Sequence, residues 1–279
     1  MRAGSLSMRG NPVLLFASVL ALVQIVAALA APLIAPYNPV EPLIIDRLQG
    51  MSAAHWLGTD KFGRDVLSRI LYGYQLSLGI SVVSVAAALL VGGMAGVVGG
   101  YLGGWVDRVV MRVADVLFAF PMLLLAIGIT AVLGARATST AAAIAIVYAP
   151  IFARLLRGPT LLISRAEYVM AARALGAGHL RIVFRHILPN LGGVILVQAS
   201  LSMSMAILVE ASLSFLGVGA QPPTPSLGRM LAEGRDYLAL APWACVFSGA
   251  AILLVSLAFN LLGDGLRDQL DPRLRGAAS

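Results

Sequence analysis

QLSLGISVVSVAAALLVGGMAGVVGG, residues 75–100, runs for 26 positions without an Asp, Glu, Lys or Arg. About 20 apolar residues suffice for a helix to cross the hydrocarbon core of a bilayer. Helices buried in soluble cores are shorter and amphipathic. Five further uncharged runs flank this one, at 11–36, 116–135, 137–153, 191–209 and 238–263. Across all 279 residues, 59% are hydrophobic and 12% charged, about half the charged fraction of a soluble domain. A large soluble protein with buried helices is excluded. The expected fold is an all-α polytopic membrane protein with six transmembrane helices, at about 11–36, 75–100, 113–135, 137–157, 191–215 and 238–263. An outer segment at 37–74 and a loop at 158–190 complete one membrane domain over 1–279.

The first run contains Ala28-Leu29-Ala30, which resembles a signal-cleavage site. Its apolar length exceeds the roughly 7–15 residues of a signal-peptide core, so it reads as an uncleaved span. The net charge of +7 invites a nucleic-acid partner, but the charges follow topology instead. With six spans and the N-terminus inside, inner segments hold 13 of the 20 basic residues. These are Arg2, Arg9, Arg108, Arg112, Arg154, Arg157, Arg165, Arg173, Arg181, Arg185, Arg267, Arg273 and Arg275. Outer segments hold Arg47, Lys61, Arg64, Arg69, Arg136, Arg229 and Arg235. Cytoplasmic loops carry the excess of Lys and Arg, so both termini are expected in the cytoplasm and no nucleic acid is implied. Cys245 is the sole cysteine, which excludes an intrachain disulfide and a thiol metal site. His55, His179 and His186 pair with no Cys or Glu at ligand spacing, and no metal is expected.

Within the outer segment, Val66, Leu67, Ile70 and Leu71 share one face of a short stretch at 63–72, while Arg64, Asp65 and Arg69 lie mainly off it. This pattern predicts a short helix lying in the membrane interface. Gly92, Gly96, Gly100 and Gly104 are spaced by four, so they line one helix face and admit a second helix closely. Static packing is the favoured reading of that stripe, with a moving contact as the alternative and the last two glycines near a turn. Pro121 and Pro150 lie within or near the ends of spans and predict kinks.

The segment at 154–190 reads RLLRGPTLLISRAEYVMAARALGAGHLRIVFRHILPN. Gly158-Pro159 predicts a break after the fourth span. Helix formers dominate Arg165–Leu175, and Gly176 stands where a C-terminal cap belongs. A second short helix is expected over Leu180–Leu188, ending at Pro189. The result is a helical hairpin with small residues at Ala171 and Ala172. Such residues let a helix sit in another protein's groove, and flanking arginines suit acidic rims. Arginines would equally hold an interfacial helix on anionic lipid.

Met170-Ala171-Ala172-x3-Gly176, with Leu188-Pro189 further on, resembles the EAA loop of membrane subunits of bacterial ATP-binding-cassette importers, a pattern of roughly E-A-A-x3-G-x9-I-x-L-P. Met170 stands at the acidic position and His186 at the isoleucine position. His55-Trp56-Leu57-Gly58-Thr59-Asp60, with Gly63-Arg64-Asp65 and Ser68-Arg69, is similar to the outer segment of dipeptide, oligopeptide and nickel importer permeases. So are Ser214-Phe215-Leu216-Gly217-Val218-Gly219 with Pro222-Pro223, and Asn260-Leu261-Leu262-Gly263-Asp264-Gly265-Leu266-Arg267-Asp268 with Asp271-Pro272. The resemblance covers nearly the whole chain and points to the second, "C" type of the two permeases.

It implies a subunit of the bacterial inner membrane that forms half of a translocation pathway. A second homologous permease, two cytoplasmic ATPases and an extracytoplasmic solute-binding protein would complete the complex within the lipid bilayer. The chain has no G-x-x-x-x-G-K-[ST] phosphate loop, so it is expected to be no enzyme and to bind no cofactor itself. ATP and Mg would be bound by the partner ATPases. The coupling helix maps to about 165–177, and the implied ATPase-coupling residues are Glu167, Tyr168, Ala171, Ala172, Arg173, Gly176, Ala177, Leu188 and Pro189. Peptides are the implied solute, with nickel chelates or glutathione as the alternative.

In the fifth span, Gln198 and Ser202 lie four apart on one helix face. Together with Glu210 they are the candidates for a substrate path, although polar side chains in spans also hold helices together. An acid at membrane depth is costly unless paired or wet. No nucleophile and base are held together at membrane depth, which counts against an intramembrane protease. An ion-coupled secondary transporter would want ionisable residues at mid-membrane and internal repeats; the span centres here are uncharged and no convincing repeat is visible.

Overall fold

The computed structural model describes residues 12–270. Among them there is no strand, only an isolated antiparallel bridge between Thr59 and Asp65. The chain begins with α1 (Pro12–Leu29) and a one-turn α2 (Ala31–Ile34), then crosses the outer segment. Next, α3 (Val66–Ala88) runs through a π-turn at Leu89–Gly93 into α4 (Met94–Leu102). A tight turn leads to α5 (Gly104–Phe118), α6 (Met122–Leu133) and α7 (Ala137–Ser164). The hairpin comprises α8 (Glu167–Ala174) and α9 (His179–Ile182), joined by a second π-turn at Val183–Ile187 to α10 (Leu188–Phe215). After a loop come α11 (Leu227–Arg235) and α12 (Pro242–Leu270). Five continuous helices are long and apolar enough to cross a membrane, and α5 with α6 makes a sixth if that bent pair is one span. Arg2, Arg9, Arg273, Arg275 and Asp271-Pro272, with both termini, lie outside the described residues.

The glycine stripe positions the bundle. A Cβ on Gly92 or Gly96 would collide with the carbonyl of Ala149 or Ala153 on α7, and one on Gly100 would lie 2.8 Å from the Arg157 oxygen. The backbones of the α3–α4 rod and α7 are therefore in direct contact, as small-residue stripes allow. Gly104 is not part of the stripe: it opens α5 beyond the turn.

Four expectations about local structure are corrected. The stretch 63–72 is not an interfacial helix, because Val66–Tyr72 forms the first turns of α3 and Val66, Ile70 and Leu71 are buried. Its charges face protein partners. Asp60 Oδ2 accepts Arg64 Nε at 2.7 Å and Arg69 Nη1 at 2.8 Å, and Glu233 of α11 accepts Arg64 Nη2 at 3.1 Å. Asp65 caps α3, accepting the Ser68 amide at 2.8 Å, and lies 3.0 Å from His55 Nδ1. The helix thus enters the protein directly instead of resting on headgroups.

The third span, expected at 113–135, is broken: α5 and α6 meet at 91°. Pro121 disfavours helix in the residue before it and donates no amide, so the chain turns at 119–121. The amphipathic α5 packs against α7, where Asp107 accepts Arg157 Nη2 at 2.6 Å and Asp115 accepts Arg154 Nη2 at 2.7 Å. Gly158-Pro159 does not break the fourth span, for α7 contains both Pro150 and Pro159 and runs to Ser164. Finally, Pro189 does not end the hairpin's second helix. The Leu188 amide reaches back to the Val183 carbonyl, and this wider turn lets the helix pass Pro189. From His179 to Phe215 the chain is helical for 37 residues.

The glycine contact predicts the most damaging small substitution in the bundle. Gly96→Leu forces a side chain into the Ala153 backbone, and overpacking of this kind costs about 1–3 kcal/mol or more. Thermal unfolding of the detergent-purified protein should show a clear fall, whereas Gly128→Leu, where an added Cβ meets nothing within 4 Å, should behave like wild type. Equal stability of the two variants would show the contact to be loose.

Candidate functional site

The hairpin is built around its own small core. Val169 of α8, Ile182, Val183 and Ile187 pack with Val97, Leu156 and Leu191 from α4, α7 and α10. Two polar clasps fix its posture. Tyr101 Oη at the end of α4 lies 2.9 Å from His179 Nδ1, and the Arg173 guanidinium sits 5.5 Å from the Tyr101 ring centre. On the other side, Asn190 Nδ2 donates to the His186 carbonyl at 2.6 Å, and its contact with Tyr168 Oη is 3.4 Å.

The glycine that stops α8 has φ +82°. The Ala177 amide donates to the Ala172 carbonyl and the Gly176 amide to the Arg173 carbonyl, both at 3.0 Å. This pair of bonds is a Schellman cap. It accounts for the glycine of the motif: Gly176 takes the left-handed position of the cap, and Ala172 and Ala177 join it through their backbone groups. The same bonds recur at the end of α10, where Val218 N reaches Leu213 O at 3.0 Å and Gly217 has φ +82°.

Of the residues expected to couple, seven lie on α8 and the turn after it, while Leu188 and Pro189 open α10. Glu167, Tyr168, Ala171, Arg173, Gly176 and Pro189 are exposed, and Ala172, Ala177 and Leu188 are half-buried. Beside them Met170, Leu175, Leu180 and Phe184 also expose apolar side chains. Arg173 faces Tyr101, which makes it part of a clasp. The Tyr101–His179 pairing has no trace in the sequence, because single polar residues 78 positions apart carry no periodic signal.

The three path candidates separate. Gln198 and Ser202 line a hollow of about 480 Å³ between α6, α7, α10 and α12, and Gln198 Nε2 donates to Ser202 Oγ at 3.2 Å. Glu210 does not line it. Its carboxylate is fully buried among hydroxyls of three elements, accepting Ser77 Oγ from α3 at 2.6 Å and Ser214 Oγ from α10 at 2.7 Å, with Ser226 Oγ, the cap of α11, at 3.5 Å. No cation partners it among the described residues. Tyr148, which lines the same hollow, was missed because an uncharged run offers no cue to a single phenol.

Residues 88–276 match the model of a family described as binding-protein-dependent transport system inner membrane component. The chain is 47% identical over 251 residues to the dipeptide transport system permease protein DppC of Alkalihalophilus pseudofirmus, covering 90% of this chain and 83% of that one. It is also 47% identical to the glutathione transport system permease protein GsiD of Pectobacterium atrosepticum, covering 93% and 86%. Among solved structures, an inward-facing MetNI methionine ABC transporter matches with a TM-score of 0.56 over 72% of this chain and 96% of that one, at 19% identity. That last likeness concerns the fold alone.

Glu210 yields a stability test. Glu210→Ala removes the acceptor of three buried hydroxyls, and unpaired buried groups cost about 1–3 kcal/mol each. Glu210→Gln keeps one carbonyl oxygen and should lose markedly less. Thermal unfolding of both variants checks this; indistinguishable melting temperatures would mean the serine cluster does not hold α11 to α3 and α10.

Proposed function

The chain belongs to the family of binding-protein-dependent transport system inner membrane components, and from that membership we propose that it forms half the translocation pathway of a peptide importer powered by separate ATPases. The observation that carries the coupling role is the hairpin: a short α8 locked at an angle by a Schellman cap, clasped to α4 and α10, and presenting Ala171 with exposed apolar neighbours. Small residues on a rigid, exposed helix suit docking into a groove of an ATPase. Closure of an ATPase pair would then move the hairpin, and with it α10, as a packed body. A second permease completes the pathway, a solute-binding protein delivers the solute from outside, and ATP with Mg is bound by the ATPase partners.

The solute reading rests on the relatives. One is named for dipeptides and one for glutathione; both solutes carry peptide amides. Uptake of a labelled dipeptide or of glutathione by the reconstituted complex tests the class directly, and import of a nickel chelate alone would overturn it.

Gly176→Leu is expected to abolish coupled transport while leaving the bundle folded. Its backbone is left-handed, where a side chain costs about 1–2 kcal/mol, yet a Cβ there meets nothing within the chain. Uptake should be lost, with weaker ATPase retention on pull-down or ATP hydrolysis no longer stimulated by the loaded binding protein. Normal uptake with full ATPase retention would remove the hairpin from the coupling role.

The orientation has its own test. In a background with Cys245 replaced, Met170→Cys should react with an impermeant thiol reagent only after the cells are opened, since an excess of basic residues favours the cytoplasmic side for the hairpin. Labelling in intact cells would invert the topology.

A further inference from the structure

The hollow holding Gln198 and Ser202 has no acidic or basic residue in its lining. A second hollow, of about 520 Å³, opens between Asn190 and Arg267 and shares Gln198 and Leu201 with the first. The two form one track along α10, from Asn190 to Ser212. At 1.5 Å per residue that distance is about 33 Å, close to the thickness of the hydrocarbon core.

Most polar groups of the wall are already engaged. Ser212 Oγ donates to Leu208 O at 2.7 Å, and Ser202 Oγ accepts from Gln198 Nε2. Tyr148 stands apart because its unpaired group is buried. It is 2% exposed, and its hydroxyl has no hydrogen-bond partner. A buried phenol left unpaired costs folding free energy, and phenylalanine would fill the same space without that cost. Nothing in the packing of α7 calls for the oxygen.

Taking the chain as half of a peptide importer's pathway, we propose that this track is a transient peptide subsite in which the Tyr148 hydroxyl hydrogen-bonds a backbone amide of the passing solute, with the Gln198 side-chain amide on the wall of the same hollow. A phenol both donates and accepts, as does a primary amide, so the pair serves either end of a peptide bond. Both are neutral, so neither traps a charged side chain or terminus, and a pathway must release what it binds. In this conformation the wall closes over the hydroxyl, so the subsite requires the re-packing that opens the pathway to uncover it.

The test uses the whole importer, reconstituted with its binding protein loaded and saturating. Tyr148→Phe should lower the maximal rate of dipeptide uptake about 2- to 10-fold, the range expected for one neutral hydrogen bond. The variant should melt at or above the wild-type temperature, and loaded binding protein should still stimulate its ATPase. Wild type should also import an ester-linked analogue, which lacks the amide N–H, more slowly than the amide, and that difference should shrink in Tyr148→Phe. Unchanged uptake, a lower melting temperature, or undiminished discrimination against the ester would each overturn the assignment. Failure of the wild-type complex to import any peptide would instead remove the peptide reading on which the subsite rests.

Discussion

Three glycines of the α3–α4 rod lie against the bare backbone of α7, and the rest of the bundle is arranged around that contact. Lipid offers no hydrophobic drive to bring helices together, so close van der Waals packing has to supply it. With Gly92, Gly96 and Gly100 facing Ala149, Ala153 and Arg157, α7 cannot rotate without driving carbonyls into a neighbour. Its other faces are thereby assigned. Tyr148 and Ile151 turn to the hollow beside α10, while Arg154 and Arg157 reach the acids of α5. Leu156 enters the core beneath the hairpin.

Much of this was legible from residue types. Uncharged runs located the long helices, because the price of a charge in hydrocarbon leaves a plain linear trace. The stripe of glycines announced a close approach, and Gly176 announced a helix stop, since few other residues tolerate a left-handed backbone. The alanines before it were readable as a groove-facing surface. Their second role as positions of the cap became visible only with the bonds from Gly176 and Ala177 in place.

What escaped depended on partners distant in sequence. The stretch 63–72 looked like an interfacial helix because one of the acids that hold Arg64 and Arg69, Glu233, lies more than 160 residues away. Pro159 and Pro189 looked like terminators, since proline lacks an amide and crowds the preceding turn. The flanking helix absorbed both, in the second case through a π-turn. At Pro121, by contrast, local chemistry prevailed and the helix turned by 91°. Glu210 stood out as a lone acid, but its partners had no cue, being serines from three separate elements.

The unbroken helical run from the hairpin to the serine cluster has a mechanical meaning. At 1.5 Å per residue, 37 residues make a beam about 55 Å long. One end carries the surface that is free to meet a partner, and the other carries the carboxylate that fastens α11. Its middle is held to α12, with Gly263 against Leu201 and Ser256 Oγ 2.9 Å from Ser204 Oγ. In the coupling role proposed above, such a beam would not stretch, so a push on the hairpin would be carried along it as a rigid displacement. The wide turn at Val183–Ile187 lies next to the hairpin, ahead of the whole length of α10.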